Sequence, residues 1–148
     1  MNITDNQNEI FDLVDEDDNV IGKVRRGEAN RNKNLIHRSI GVAVFNSKGE
    51  MYLQQRSATK DTDSGKWTIS CSGHVNAGDD YETTAKRELQ EELGIENLEL
   101  EPVGKYICRA PKETEMVMLY KTKSEGPFKL HPQEITQGKF FTQKELQE

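Results

Sequence analysis

A chain of 148 residues and 16.9 kDa suits one domain with one core, and with 33% hydrophobic and 31% charged residues that core is modest and the surface well solvated. A formal net charge of −6 argues against a general binder of nucleic-acid polymers or membrane surfaces, while leaving room for a small phosphorylated substrate held by local cations. Two cysteines, Cys71 and Cys108, give neither a disulfide framework nor a zinc spacing, and no signal-peptide core or membrane-length apolar run is present, so the reading is a cytoplasmic protein.

In chain order, residues 1–8 are polar and read as a frayed end. Glu9 to Asp15 alternates like a strand, Glu16 to Asn19 turns, and Val20 to Val24 returns, which predicts an N-terminal hairpin. Arg25 to Asn34 holds room for one short helix. Ser39 to Phe45 is a buried strand by its aliphatic run, and Asn46 to Gly49 turns it into an antiparallel partner, Glu50 to Gln55. A polar, basic loop, Ala58 to Lys66, precedes a short strand over Trp67 to Cys71. Good helix formers begin at Tyr81 behind two capping candidates, Asp79 and Asp80; Asp79 with Glu82 fits a capping box, and Gly94 stops the helix. Leu98 to Arg109 and Met116 to Lys121 read as two further strands. Pro127 to Pro132 reads as loop, Ile135 to Phe141 as a last strand, and Thr142 as the cap of a closing helical turn. Strands on both sides of one main helix predict an α/β fold, a mixed β-sheet sandwiched by helices.

The main helix carries the chemistry. At about 100° per residue, Glu88, Glu91 and Glu92 share one arc of about 100°, beside an apolar arc of Ala85, Leu89 and Leu93. Like charges at these spacings repel by roughly 0.2–0.5 kcal/mol per pair, and the last helical turn disfavours anions. A solvated acidic face, partly offset by Lys86 and Arg87, is one account of the row. The other is a divalent cation, and carboxylate oxygens suit Mg²⁺ or Mn²⁺.

The frame around the row favours the cation. From Gly73 the chain runs five residues to Asp79, seven more to Arg87-Glu88-Leu89, then Gln90, Glu91-Glu92, Leu93, Gly94 and Ile95. This stretch resembles the Nudix box, with Asp79 in place of the usual Glu as its one departure. The resemblance implies a Nudix-type α/β/α sandwich, residues 1–148 forming a single Nudix hydrolase domain, and metal-dependent hydrolysis of a phosphoanhydride. The metal, Mg²⁺ or Mn²⁺, would sit on Glu88, Glu91, Glu92 and the Gly73 carbonyl. Arg87 and Asp79 would brace the helix against its loop, and Gly73 and Gly78 would let that loop bend tightly.

The stretches FDLVDEDDNVIG, LIHRSIGVAVFNSKGEMYLQQRS and GKWTISCSGH are similar to one branch, the type 1 isopentenyl-diphosphate isomerases and the hydrolases of the same architecture. The isomerase uses a cysteine immediately before this Gly-His, where the chain has Ser72; Cys71 lies one residue earlier and would face the other way on a strand. A serine hydroxyl is too weak an acid for that proton transfer. Cys108 replaces the isomerase's tyrosine and Asn30 one of its metal histidines, whereas Arg87, Glu88 and Glu91, which isomerases generally lose, are present. The resemblance therefore implies a hydrolase, with the isomerase and a non-catalytic nucleotide-binding module as alternatives.

The same likeness assigns His37, His74, Glu113 and Glu115 to a second metal or substrate subsite, and Arg26, Arg56 and Lys60 to contacts with a diphosphate. Glu88, Glu115 and Glu134 are candidate general bases, and Glu92 is set beside Glu88 and Glu115 as catalytic. The implied substrate is small and phosphorylated: a nucleoside diphosphate linked to another group, or a nucleoside triphosphate. Trp67 and Tyr106 are read either as stacking surfaces for a base or as core. A homodimer is left open.

Overall fold

The computed structural model describes residues 5–60 and 64–147; the expectations for residues 1–4 and for the middle of the basic loop, 61–63, lie outside them. Nine strands join one hydrogen-bonded sheet around β3 (Ile36–Phe45). On one side β3 pairs in parallel with β8 (Thr114–Lys123) over its whole length. Along its other side it meets β1 (Ile10–Val14), β6 (Cys71–His74) and β4 (Met51–Arg56) in succession, all antiparallel. β2 (Val20–Arg25) extends the sheet beyond β1, β7 (Glu101–Arg109) beyond β8, and β4 carries both β5 (Trp67–Ile69) and β9 (Ile135–Phe141). The fold is α/β, a mixed sheet with few helices. Of the described helices only α2 (Tyr81–Leu93) is long; α1 (Arg26–Ala29) and α3 (Gln143–Leu146) have four residues each. None is long and apolar enough to cross a membrane.

Strand alternation and helix periodicity build the core together. Ile40, Val42 and Val44 project from one face of β3 onto Ala85, Leu89 and Leu93 of α2, and Phe128 and Leu130 of the irregular 127–132 stretch close the cluster. α2 begins where the Asp80 carboxylate accepts the Thr83 N–H at 2.7 Å, and Gly94, at φ 68°, ends it in the left-handed conformation a side chain resists. The expected capping box from Asp79 to Glu82 does not form. Asp79 turns instead to Arg87, and Glu82 pairs with Lys86 at 3.7 Å.

Two other expectations change. The single strand read over Trp67 to Cys71 is two strands with different partners, β5 on β4 and β6 on β3, broken at Ser70. β3 and β4 touch only at Phe45 and Met51 and then splay apart. The fully buried Ser70 fills the gap: its hydroxyl accepts the Val44 N–H at 2.8 Å and donates to the Tyr52 carbonyl, replacing ladder bonds the splay removes. The frayed end also needs correcting, because residues 5–8 are seated. Gln7 and Glu9 carbonyls accept the first N–H groups of α1, and Asp5 forms ion pairs described below.

The β1–β2 hairpin is fixed by Asp18. Its carboxylate accepts from Arg38 of β3, Tyr81 at the start of α2, and Lys105 of β7, at 2.7–2.9 Å.

Candidate active site

One cavity of about 700 Å³ opens where β3 and β4 diverge and where β6 leads into α2. The loop after β6 bends at Gly78, φ 85°, and the helix then returns its carboxylate row over the strand. Gly73 lies within β6 rather than in that bend, and its missing side chain has a specific use. A Cβ there would fall 2.5 Å from Glu88 Cδ and 2.7 Å from Cγ, so only glycine lets Glu88 lie across the strand.

The three glutamates are not equivalent. Glu92 is 5% exposed and is fixed by the Gln54 side-chain amide at 2.8 Å and the Ser72 N–H at 3.3 Å. Glu88 is half-buried and faces the cavity, and Glu91 is exposed at its mouth. Burial, then the charges of Glu92 and Glu91, push Glu88 up to about 9. Burial also raises Glu92, to about 7, with Gln54 and Ser72 working the other way. Burial and mutual repulsion thus favour the protonated forms of Glu88 and Glu92, and a divalent ion beside them would favour the charged forms instead. The donor set, all oxygen and anionic, fits Mg²⁺ or Mn²⁺.

A second cluster reaches the same cavity: His74, Glu113 and Glu115 line it, and the fully buried His37 stands behind them. His37 on β3, His74 on β6, Glu113 just ahead of β8 and Glu115 at its start bring one ligand atom each within 4.8 Å of one another. His37 Nε2 lies 3.6 Å from Glu113 Oε2, and His74 Nε2 lies 3.8 Å from both glutamates. Phe11 stacks on His37 at 5.2 Å and packs on His74 at 4.9 Å, which holds both rings. The parallel register sets Glu115 beside His37, so the strand pairing itself builds the group.

Cations line the cavity as well. Arg26, Arg56, Lys60 and Arg87 all face it, but they are not bare. Arg87 Nη1 donates to Asp79 Oδ2 at 3.1 Å. Arg26 pairs with Asp5 at 3.2 Å and Glu9 at 3.7 Å. Lys60 Nζ pairs with Asp5 at 2.7 Å and Glu134 at 2.5 Å. Glu134 is thereby held by a cation of the site, while Glu115 lies in the histidine group.

Ser72 lines the cavity, whereas Cys71 points into the core at 0% exposure, where burial and then the charge of Glu92 push its thiol up. Cys108 lies opposite Glu115 at the cavity rim. Of the two aromatic candidates, neither is core: Tyr106 is 48% exposed and lines the cavity, and Trp67 is 39% exposed and packs edge-on against Phe141. Sequence reasoning missed Gln54 and Asp5. Strand alternation puts Gln54 on the buried face of Tyr52, and a polar residue at a core position was its signal; Asp5 carries none.

Comparison with known proteins gives a consistent result. The family model for the NUDIX domain matches residues 35–148. An uncharacterised Nudix hydrolase of Pseudomonas aeruginosa is 34% identical over 132 residues, 89% of this chain and 78% of that protein. Isopentenyl-diphosphate delta-isomerase 2 of Photorhabdus laumondii is 40% identical over 102 residues, 69% of this chain but only 56% of the isomerase. Among solved structures, a Deinococcus radiodurans protein superposes with a TM-score of 0.81 at 26% identity, covering 93% of this chain and 86% of its own.

Proposed function

The chain belongs to the Nudix family of pyrophosphohydrolase enzymes, and from that premise we propose that it is a cytoplasmic, Mg²⁺- or Mn²⁺-dependent hydrolase of a phosphoanhydride in a small nucleotide. The substrate is a nucleoside diphosphate linked to another group, or a nucleoside triphosphate. One observation carries this reading: the three glutamates of α2 and the cations Arg26, Arg56 and Lys60 face the same polar cavity. A row of acids alone suits a cation, and a row of cations alone suits an anion. Both in one cavity suit a metal-bound polyphosphate.

In this reading Glu88, Glu91, Glu92 and the Gly73 carbonyl hold the metal, which when bound polarises phosphate oxygens and acidifies water. Gln54 and the Ser72 N–H keep the Glu92 carboxylate aimed at the cavity. Arg26, Arg56 and Lys60 bind the phosphate oxygens, and Arg87 with Asp79 ties the loop to α2. A carboxylate takes the proton of the attacking water; Glu88, Glu115 and Glu134 are the candidates, all on the cavity wall. His37, His74, Glu113 and Glu115 form a second subsite of two nitrogen and two oxygen donors, suited to a further divalent ion.

That second group and the isomerase relatives favour one other reading, an isopentenyl-diphosphate isomerase. Its chemistry needs a thiol at the position just before Gly73-His74; there Ser72 faces the cavity and Cys71 is turned into the core, while Cys108 stands across the cavity on β7. A catalytically idle nucleotide-binding module stands further off, since it has no use for an intact carboxylate row. Incubation with a pool of nucleotides, isopentenyl diphosphate and Mg²⁺, followed by product analysis, tests the proposal. The expected result is a nucleoside monophosphate and a phosphate-containing product. Unchanged nucleotides beside isomerised isopentenyl diphosphate overturn it.

A further inference from the structure

The segment ahead of β1 is polar throughout, Asp5-Asn6-Gln7-Asn8-Glu9, yet Asp5, Asn6 and Glu9 line the cavity, while residues 6–8 stay exposed along its edge. Asp5 is its deepest point, with a side chain 4% exposed. Its Oδ1 lies 3.2 Å from Arg26 Nη2 and 2.7 Å from Lys60 Nζ, between two of the three cations read above as phosphate contacts. An anionic group that accepts from a guanidinium and an ammonium at once is what a phosphate of the substrate would be. Lys60 continues to Glu134 at 2.5 Å, so the contact reaches the carboxylates of the reaction centre.

The segment is held there by charge and by a few backbone bonds. Gly27 and Arg26 N–H groups donate to the Gln7 and Glu9 carbonyls at 3.0 and 2.8 Å. Asn8 N–H donates to the Asn6 side chain at 3.0 Å, and Glu9 N–H to the Asn6 carbonyl at 3.2 Å. None of residues 5–9 belongs to a hydrophobic cluster. Residues 5–9 supply no apolar side chain of their own to anchor them, so they open at low cost, and a diphosphate offers Arg26 and Lys60 more charge than one carboxylate does.

We propose that residues 5–9 are an autoinhibitory strap, in which Asp5 occupies a phosphate position and an incoming diphosphate displaces it. This rests on Arg26 and Lys60 being phosphate contacts, as set out above. The competing account is a permanent brace, in which Asp5 orients the two cations and stays in place when substrate binds. The two accounts predict opposite signs.

The probe is methylenediphosphonate, whose bridging carbon resists hydrolysis, titrated calorimetrically into the full chain with Mg²⁺ at fixed concentration. If the strap is seated about nine-tenths of the time, it masks the subsite by about tenfold, so Asp5→Asn tightens binding by about that factor. Lys60→Gln weakens binding. Hydrogen exchange on the wild-type chain needs no variant: probe binding accelerates exchange of the Asn8 and Glu9 amides. Unchanged or weaker binding by Asp5→Asn, with Lys60→Gln still impaired, overturns the strap and leaves the subsite standing. Slower exchange at Asn8 and Glu9 does the same. Failure of the wild type and Asp5→Asn alike to bind the probe removes the subsite and the strap together.

Discussion

Replacing Gly73 by alanine separates the site from the fold. The new Cβ would stand 2.5 Å from Glu88 Cδ, 2.7 Å from Cγ and 2.9 Å from Oε2, all inside contact distance. What it meets is the end of a flexible side chain, so Glu88 yields rather than the backbone. To restore ordinary contact near 3.4 Å its carboxyl carbon must move by roughly 1 Å, away from β6 and towards open cavity. Displacing a reacting or metal-holding group by about 1 Å costs on the order of 10²-fold in rate. The stability cost stays below about 1 kcal/mol, because a half-buried carboxyl raised to about 9 gains solvent as it moves. Gly94→Ala is the control with the opposite balance. Its φ of 68° and a Lys129 Cβ 2.8 Å from the new methyl group cost at least about 1–2 kcal/mol. A loss of that size lowers the melting temperature by several degrees, on the scale of about 2–8 °C per kcal/mol for domains near this size. Turnover per folded molecule is expected to remain near wild type, because Gly94 lines no part of the cavity. Thermal melts and turnover on both variants decide the matter. Wild-type turnover by Gly73→Ala refutes the reasoning, since it means that Glu88 need not lie against the strand.

Glu92→Gln is expected to fold normally and to lose turnover by at least two orders of magnitude, measured with Mg²⁺ on whichever nucleotide the pool identifies. Isopentenyl diphosphate is expected to emerge unchanged from prolonged incubation, and its allylic isomer on product chromatography would contradict the placement of Cys71 in the core. Folding raises the carboxyl groups of Glu88 and Glu92 from 4.5 to about 9 and about 7, so the stability tied to their protonated forms is complete below about pH 4.5 and is lost as pH rises through those values. The metal-free melting temperature should therefore fall across that window, and a flat or rising profile would count against the buried row. Mg²⁺ at 100 times its dissociation constant should restore about 2.7 kcal/mol, an increment that Glu88→Gln with Glu91→Gln should erase in a thermal melt.

The carboxylate row is legible in sequence because helix periodicity alone projects Glu88, Glu91 and Glu92 to one side. What periodicity does not give is their inequality. Glu92 is buried because Gln54, from a strand 38 residues earlier, and the Ser72 N–H happen to meet it. Alternation and turn chemistry place the strands within a few residues. They do not place the break at Ser70, because a strand's own pattern does not record that its neighbours diverge. Asp5 escaped for a different reason. A polar terminus without apolar residues reads as solvated, and only the fold shows two cations waiting beside it.

The splay of β3 from β4 is where local and global preferences disagree, and it is also where the cavity lies. A turn at Asn46 to Gly49 followed by an alternating strand calls for a regular hairpin, yet the pairing stops after Phe45 and Met51. Ser70 and Gln54, both buried and polar, fill the opening; Ser70 meets Val44 and Tyr52, while Gln54 reaches the Ser70 carbonyl and Glu92. A continuous ladder would need neither residue and would close the space into which Glu92 points. The two polar side chains therefore offset the lost ladder bonds and, in doing so, connect the break in the sheet to the buried carboxylate. Ser70→Ala should disturb Glu92 as well as the sheet, because loss of the hydroxyl's bonds to Val44 and Tyr52 releases the Ser70 backbone, whose carbonyl shares one Gln54 amide with the Glu92 carboxylate.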